Sequence, residues 1–174
     1  TSDETTIDQS SGNIKANNAT LSLKGVPIMY SPYIDFSLNS QRKSGWLLPT
    51  AGSTTTSGFE VSIPYYFNLS PTHDATITTR NMAKRGVQFD GEYRYLSKNF
   101  NGTSQIQYLH KDKESDIDNR YLIDINHQHY FGNGFSGTVE YEKVKKNDNN
   151  YFADMSTSIA VTSQVSLRQI AHLD

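Results

Sequence analysis

Alternation of apolar and polar residues over long segments is the feature that most limits how this chain can fold. From Phe59 to Leu69, every second residue is apolar or aromatic, and most of the residues between them are polar. Successive side chains of a β-strand point to opposite faces, so this period of two predicts strands with one apolar and one polar face. Comparable alternation begins at Val87, Tyr121, Phe135 and Met155. No segment of 12 residues holds a helical period, so the sequence predicts an all-β fold.

The stretches between these segments predict tight turns at one end of the strands and longer loops at the other. Residues 99–102 and 132–134 combine Asn with Gly, and both residue types tolerate the positive φ of a hairpin turn. Residues 111–119 and 145–150 are longer and charged. The intervening strands would run for about 9–11 residues, roughly twice the usual length in globular proteins. From Trp46 onward, the sequence therefore predicts an antiparallel up-and-down meander of about nine strands.

Composition narrows the classes of protein to which such a meander can belong. The chain carries 16 Lys and Arg against 18 Asp and Glu, and its net charge of -2 argues against a nucleic-acid partner. There is no cysteine for a disulfide or a thiolate site. Long strands with asymmetric loops favour the transmembrane β-barrels of bacterial outer membranes. A soluble β-sandwich binding module and a general porin-like diffusion barrel remain alternatives, because both would show the same alternation.

In a barrel wall, the apolar face of the strands contacts lipid and the polar face lines the lumen. The residues predicted to face lipid are Phe59, Val61, Ile63, Val87, Phe89, Tyr93, Ile123, Val139, Ile159 and Val161. The residues predicted to face the lumen are Glu60, Asp90, Glu92, Arg94, Asp124 and Glu140. Aromatic residues near strand ends, Tyr151 among them, are expected to form belts at the membrane surfaces.

The sequence contains no established catalytic or metal-binding motif. His127 and His129 lie two residues apart on one strand face, a spacing that suits two zinc ligands, but no third ligand stands near them in the sequence. The acidic segment 112–118 and the surroundings of Asp148 lack the spacing of a calcium loop, so both are expected to be solvated. The sequence therefore predicts no enzyme activity, no metal and no cofactor.

Two prolines inside the first two predicted meander strands indicate a weak pairing. Pro49 and Pro64 each lack the backbone N–H that a ladder hydrogen bond requires, and proline is disfavoured within paired strands. A position at an edge or a bulge would explain either proline alone, whereas two in adjacent strands predict a deliberately weak seam. Before them, residues 41–45 are polar and are expected to be a hinge that proteases cut. Residues 1–40 alternate only weakly and are expected to end a separate small β domain.

A specific pattern of residues runs through the segments 25–33, 42–49, 58–68, 74–78, 82–86 and 91–96. These segments closely resemble the LptD family of LPS-assembly outer-membrane proteins, also called organic-solvent-tolerance proteins. The resemblance is specific from about residue 24 to residue 96, and beyond that it lies in strand character alone.

The resemblance implies that residues 1–40 are the C-terminal part of a periplasmic β-jelly-roll and that residues 41–174 are the N-terminal strands of an incomplete outer-membrane β-barrel. It implies insertion of lipopolysaccharide into the outer leaflet of a Gram-negative bacterium, through a lateral opening between the first and last barrel strands. Pro49 and Pro64 would then form the lateral gate. The implied partners are lipopolysaccharide, an LptE-like plug lipoprotein, an LptA-like periplasmic bridge protein and outer-membrane lipid. Transport breaks no bond of its substrate, so no catalytic residue is expected.

Overall fold

The computed structural model describes residues 2, 4–8, 13–23, 25–37, 42–155 and 167–174. Two antiparallel β-sheets contain most of these residues. The first sheet has three strands that pair in chain order. These strands are β1 (Glu4–Asp8), β2 (Asn13–Leu23) and β3 (Val26–Ser37).

The second sheet has nine strands. It begins with β4 (Gly45–Trp46) and β5 (Thr50–Thr54), which pair with two parts of β6 (Gly58–Ser70). The remaining strands follow in chain order and are β7 (His73–Met82), β8 (Gly86–Leu96), β9 (Phe100–Leu109), β10 (Arg120–Gly132), β11 (Phe135–Val144) and β12 (Gln169–Leu173). A short helix, α1 (Tyr151–Met155), lies between β11 and β12. The prediction of an all-β, up-and-down meander of long strands is confirmed.

The turn between β10 and β11 shows how local sequence sets the strand ends. Gly132, Asn133 and Gly134 all have positive φ, of 87°, 53° and 87°. This backbone conformation favours Gly and Asn, and it allows the chain to reverse within a few residues.

Among the described residues, no helix is long and apolar enough to cross a membrane.

The strand register places the two predicted sets of residues on opposite faces of the second sheet. Directly paired residues lie side by side on one face. One such row crosses five strands and consists of Ile63, Thr79, Phe89, Tyr108 and Tyr121. The face that carries this row, called the apolar face below, also holds Phe59, Val61, Val87, Tyr93, Ile123 and Val139. The opposite or polar face holds Glu60, Asp90, Glu92, Arg94, Asp124 and Glu140. Ile159 and Val161 lie outside the described residues.

The apolar face remains exposed over most of its area. Ile77, Phe89 and Ile106 are 48%, 51% and 55% exposed, although they lie in the middle strands of the sheet. A β-sandwich would bury such residues against a second sheet. Within the described part of the chain, the apolar core is elsewhere and small, so this exposure favours a membrane wall over a soluble sandwich.

The small core lies at one end of the polar face, where the longer loops are. Its buried members are Met82, Leu109, Leu122, Tyr151 and Met155, the last two of them in α1. The helix therefore folds back over the ends of β7, β9 and β10. The prediction that Tyr151 belongs to an interfacial aromatic belt is wrong, because its side chain is buried in this core.

Candidate functional site

The edge of the second sheet contains a break in strand pairing. Residues 45–54, called the edge segment below, pair with β6 through β4 and again through β5. Between the pairs Trp46–Tyr65 and Thr50–Ser62, the edge segment has three residues, 47–49, where β6 has two, 63 and 64. This extra residue is a bulge in the edge segment. Pro49 lies within it, a position that tolerates proline, and it brings no N–H with which the edge segment could bond to β6 there.

The second proline lies opposite the same break. The backbone N–H of Leu47 donates to the carbonyl oxygen of Pro64 at 3.0 Å. In an antiparallel strand, the N–H and C=O of one residue point toward the same neighbour. The N–H that Pro64 lacks would therefore also have pointed toward the edge segment. Thus Pro49 and Pro64, separated in sequence, lie at the same break in pairing between the edge segment and β6.

Residues 42–44, called the linker below, are tied to β6 just before β4 begins. The backbone N–H of Asn68 donates to Ser44 Oγ at 2.8 Å, and its side-chain Nδ2 donates to the carbonyl oxygen of Arg42 at 2.7 Å. The Arg42 guanidinium donates through Nη1 to the carbonyl oxygen of Pro71 at 2.8 Å. The three linker residues are exposed, yet Arg42 and Ser44 both bond to the sheet.

An ionic cluster, called the linker clamp below, holds the same arginine. It consists of Arg42, Tyr66, Asp74 and Arg94. Asp74 is buried, and one of its oxygens accepts from Arg42 while the other accepts from Arg94 Nε at 2.8 Å. Tyr66 bridges the pair, because its hydroxyl accepts from Arg42 Nε at 3.0 Å and donates to Asp74 at 3.2 Å.

A second ionic cluster lies at the opposite end of the strands. It is called the cap cluster below and consists of Arg85, Asp112, Arg120, Asp148 and Asp154. Arg120 is fully buried and donates through Nε and Nη2 to the two oxygens of Asp148, both at 2.7 Å. Its Nη1 lies 2.5 Å from Asp112 and 2.9 Å from Asp154. Arg85 donates to Asp112 at 2.7 Å and to Asp154 at 2.8 Å.

The prediction that these acidic segments are solvated holds for Glu114, Asp116 and Asp118, which are exposed, but it is wrong for Asp112 and Asp148. The side chains of Asp112 and Asp148 have no exposed surface. Asp112 belongs to the loop before β10, residues 110–119, and Asp148 belongs to residues 145–155. These two segments together are called the cap below. The cap thus folds onto the polar face, and its carboxylates replace water around Arg120.

Polar side chains of the strands connect the cap to the edge of the sheet. Arg80 donates to Glu60 at 2.6 Å and to the carbonyl oxygen of Met155 in α1 at 2.7 Å. The Tyr151 hydroxyl donates to Gln107 at 3.0 Å. Burial raises the pKa of Tyr151 well above its usual value, so this hydroxyl stays protonated. The end of the sheet that carries the cap is therefore held together by buried and charged contacts.

Most of the other predicted lumen residues also bond with their neighbours on the polar face. Asp90 accepts from Gln105 and Gln107 at 2.8–3.0 Å. Glu140 accepts from Arg168 at 3.1 Å. The polar face is therefore a hydrogen-bonded surface on which carboxylates occur from β6 to β11.

The two histidines of the zinc hypothesis belong to a row of rings on the apolar face. The Tyr95 hydroxyl lies 2.6 Å from His127 Nδ1, and the rings of His127 and His129 are 6.0 Å apart. The row continues through stacked or tilted rings and contains His73, Tyr93, Tyr95, Phe100, His127, His129 and Phe131. Among the described residues, no group of three or more His, Cys, Asp or Glu is arranged to hold a metal ion. Rings with polar atoms at one level of a sheet are typical of a membrane interface.

This architecture defines the class of the protein. Long antiparallel strands in chain order, with an exposed apolar face and a hydrogen-bonded polar face, form the wall of a transmembrane β-barrel. A family model described as "LptD protein" matches residues 14–172. The chain belongs to the LptD family.

Curated relatives carry the name LPS-assembly protein LptD. The protein of Nitrosomonas eutropha is 42% identical over 169 residues, which cover 97% of this chain and 23% of the relative. The protein of Chromobacterium violaceum is 42% identical over 173 residues, or 99% of this chain and 22% of the relative. The protein of Bordetella pertussis is 43% identical over 141 residues, or 81% and 18%. The chain thus covers 23% or less of the length of these relatives.

Proposed function

We propose that this chain contributes the first wall strands of an outer-membrane barrel that inserts lipopolysaccharide into the outer leaflet. Membership of the LptD family and the names of the curated relatives support this function. Residues 1–40 supply the end of a periplasmic β-jelly-roll, and residues 41–174 supply barrel strands. The separate three-stranded and nine-stranded sheets support that division.

The orientation of the sheet follows from the same proposal. The apolar face contacts outer-membrane lipid, and the polar face lines the lumen through which sugar groups pass. Because the linker arrives from the periplasmic domain, the linker clamp lies at the periplasmic end of the wall. The cap then lies at the end that faces the cell exterior. The partners in this scheme are lipopolysaccharide, an LptE-like plug lipoprotein and an LptA-like periplasmic bridge protein.

The observation that carries the mechanism is the coincidence of Pro49 and Pro64 at one break. Lipopolysaccharide has a polar sugar part and apolar acyl chains, so it requires a lumen and a sideways exit into lipid. Within the described residues, no strand pairs with the outer edge of β4 and β5. The last barrel strand closes against this edge, and the break leaves the edge segment weakly held by β6. The wall opens there as a lateral gate.

The test is to restore the missing donors in the full-length protein that carries this segment. We expect the double substitution Pro49→Thr and Pro64→Thr to lower delivery of lipopolysaccharide to the cell surface. Each restored hydrogen bond contributes about 0.5–1.5 kcal/mol, and each kcal/mol reduces the open population about fivefold. Surface lipopolysaccharide is measured by labelling intact cells, and barrel assembly is measured by heat-modifiable mobility in electrophoresis.

The matched control is Pro71→Thr, which changes a proline in the turn between β6 and β7. It should leave delivery unchanged. Normal delivery by a correctly assembled double variant would refute the gate.

A further inference from the structure

Strand β4 is too short to set its own position against β6. It has two paired residues, Gly45 with Tyr66 and Trp46 with Tyr65, and the break follows immediately. A strand that slips by one residue moves each side chain to the opposite face. For Trp46, such a slip would end its edge-on contact with Tyr65, whose ring centroid is 4.9 Å away. Contacts outside the ladder must therefore hold the register of β4.

The linker provides those contacts on the N-terminal side of β4. Ser44 and Arg42 both bond to Asn68, which lies two residues beyond the last paired residue of β6 in this seam. These bonds position the chain as it enters β4. The side chain of Arg42 adds bonds from the linker to the carbonyl oxygen of Pro71 and to Asp74, so it ties the same short segment to β7 as well.

Asp74 is the group on which the position of Arg42 depends. Its side chain is 7% exposed, whereas those of Arg42 and Arg94 are 45% and 52% exposed. A single buried carboxylate thus joins two guanidinium groups from different segments. Without its charge, two positive groups would face each other across Tyr66, and each would be more stable in water.

We infer that Asp74 is a positioning residue: it clamps the linker to β7 and so sets the register of β4. In the proposed function, on which this inference rests, β4 begins the edge at which the wall opens. A correctly registered β4 presents the right backbone groups to the closing strand. Loss of the clamp would leave the linker mobile and the gate edge wrongly presented.

Trypsin tests the clamp directly, because the linker contains two adjacent cleavage sites, Arg42 and Lys43. In the purified full-length protein, Asp74→Asn should speed cleavage at these sites several-fold. A protease needs the chain to leave its bonded conformation before cutting. Asp74→Glu should restore slow cleavage in part. In cells, Asp74→Asn should lower surface lipopolysaccharide while the assembled barrel keeps its heat-modifiable mobility.

The control is Arg168→Gln, which removes an exposed ion pair with Glu140 at the other edge of the sheet. It should change neither readout. If Asp74→Asn impairs folding, Tyr66→Phe removes only the bridging hydroxyl and should speed cleavage to a smaller extent. Unchanged cleavage in a folded variant would overturn the inference, as would faster cleavage with normal delivery. If the gate proposal is wrong, the double proline variant will deliver lipopolysaccharide normally. The effect of Asp74→Asn on trypsin cleavage would not depend on that outcome.

Discussion

The two ends of the second sheet use the same chemistry, Arg paired with Asp, in very different surroundings. In the cap cluster, Arg120, Asp112 and Asp148 have no exposed side-chain surface. In the linker clamp, Arg42 and Arg94 are about half exposed around one buried carboxylate. The difference in burial determines how strongly each cluster depends on every member being present.

Buried ion pairs are costly to break, because removing one partner leaves a charge without water or a counter-charge. Exposed guanidinium groups can return to water, so their ion pairs contribute little. The cap end is therefore the stronger anchor of the sheet, and the linker end is the weaker one. The break at Pro49 and Pro64 lies between them.

The largest expected effect comes from breaking the cap cluster. Arg120→Met should lower the free energy of unfolding by about 3–5 kcal/mol, because it leaves Asp148 and Asp112 buried without their main partner. Denaturant unfolding of the purified full-length protein measures the change. Arg168→Met, which removes an exposed pair, should cost about 0–1 kcal/mol. Similar losses of unfolding free energy in the two variants would contradict the conclusion that buried ion pairs are the more costly to break.

A second test asks whether both clusters lie on the lumen side of the wall. Ile123→Arg places a charge at the middle of the apolar face and should cost about 2–4 kcal/mol in lipid. Thr78→Arg, next to Asp90 on the polar face, should cost far less. Folding titrations in lipid vesicles give both values. Equal costs for the two substitutions would contradict the assignment of faces.

The smallest expected effect is the response to salt. Raising ionic strength from about 0.1 M to 1 M shortens the screening length from roughly 10 Å to 3 Å. The half-exposed linker clamp should weaken, and trypsin should cut after Arg42 modestly faster. Cleavage after Lys145, next to the buried cap cluster, should hardly change. A larger effect of salt on cleavage after Lys145 than after Arg42 would contradict the conclusion that the linker clamp is the weaker of the two clusters.

Much of the fold was accessible from the sequence because it depends on local patterns. Alternation is a property of residues two apart, so it predicted the strands and the membership of each face before any pairing was known. The Gly and Asn residues at 132–134 predicted a tight turn for a similarly local reason. The positions of Pro49 and Pro64 in adjacent strands predicted a weak seam.

The ionic clusters could not be read in the same way. Arg120 bonds to residues 8, 28 and 34 positions away in sequence, and no periodicity links them. Most residues of the charged loops are exposed, as expected, but Asp112 and Asp148 are buried. Tyr151, which was expected in a membrane belt, is also buried. The expectations failed at these three residues because the cap folds back onto the polar face.

The sequence by itself therefore determined the class of fold and the two faces of its sheet. Only the tertiary structure decided which charges are buried, that Asp74 joins the linker to the sheet, and that both prolines lie at one break in pairing. The physical reason is that strand patterning acts between near neighbours along the chain. Burial of a charge depends instead on partners that distant loops bring together.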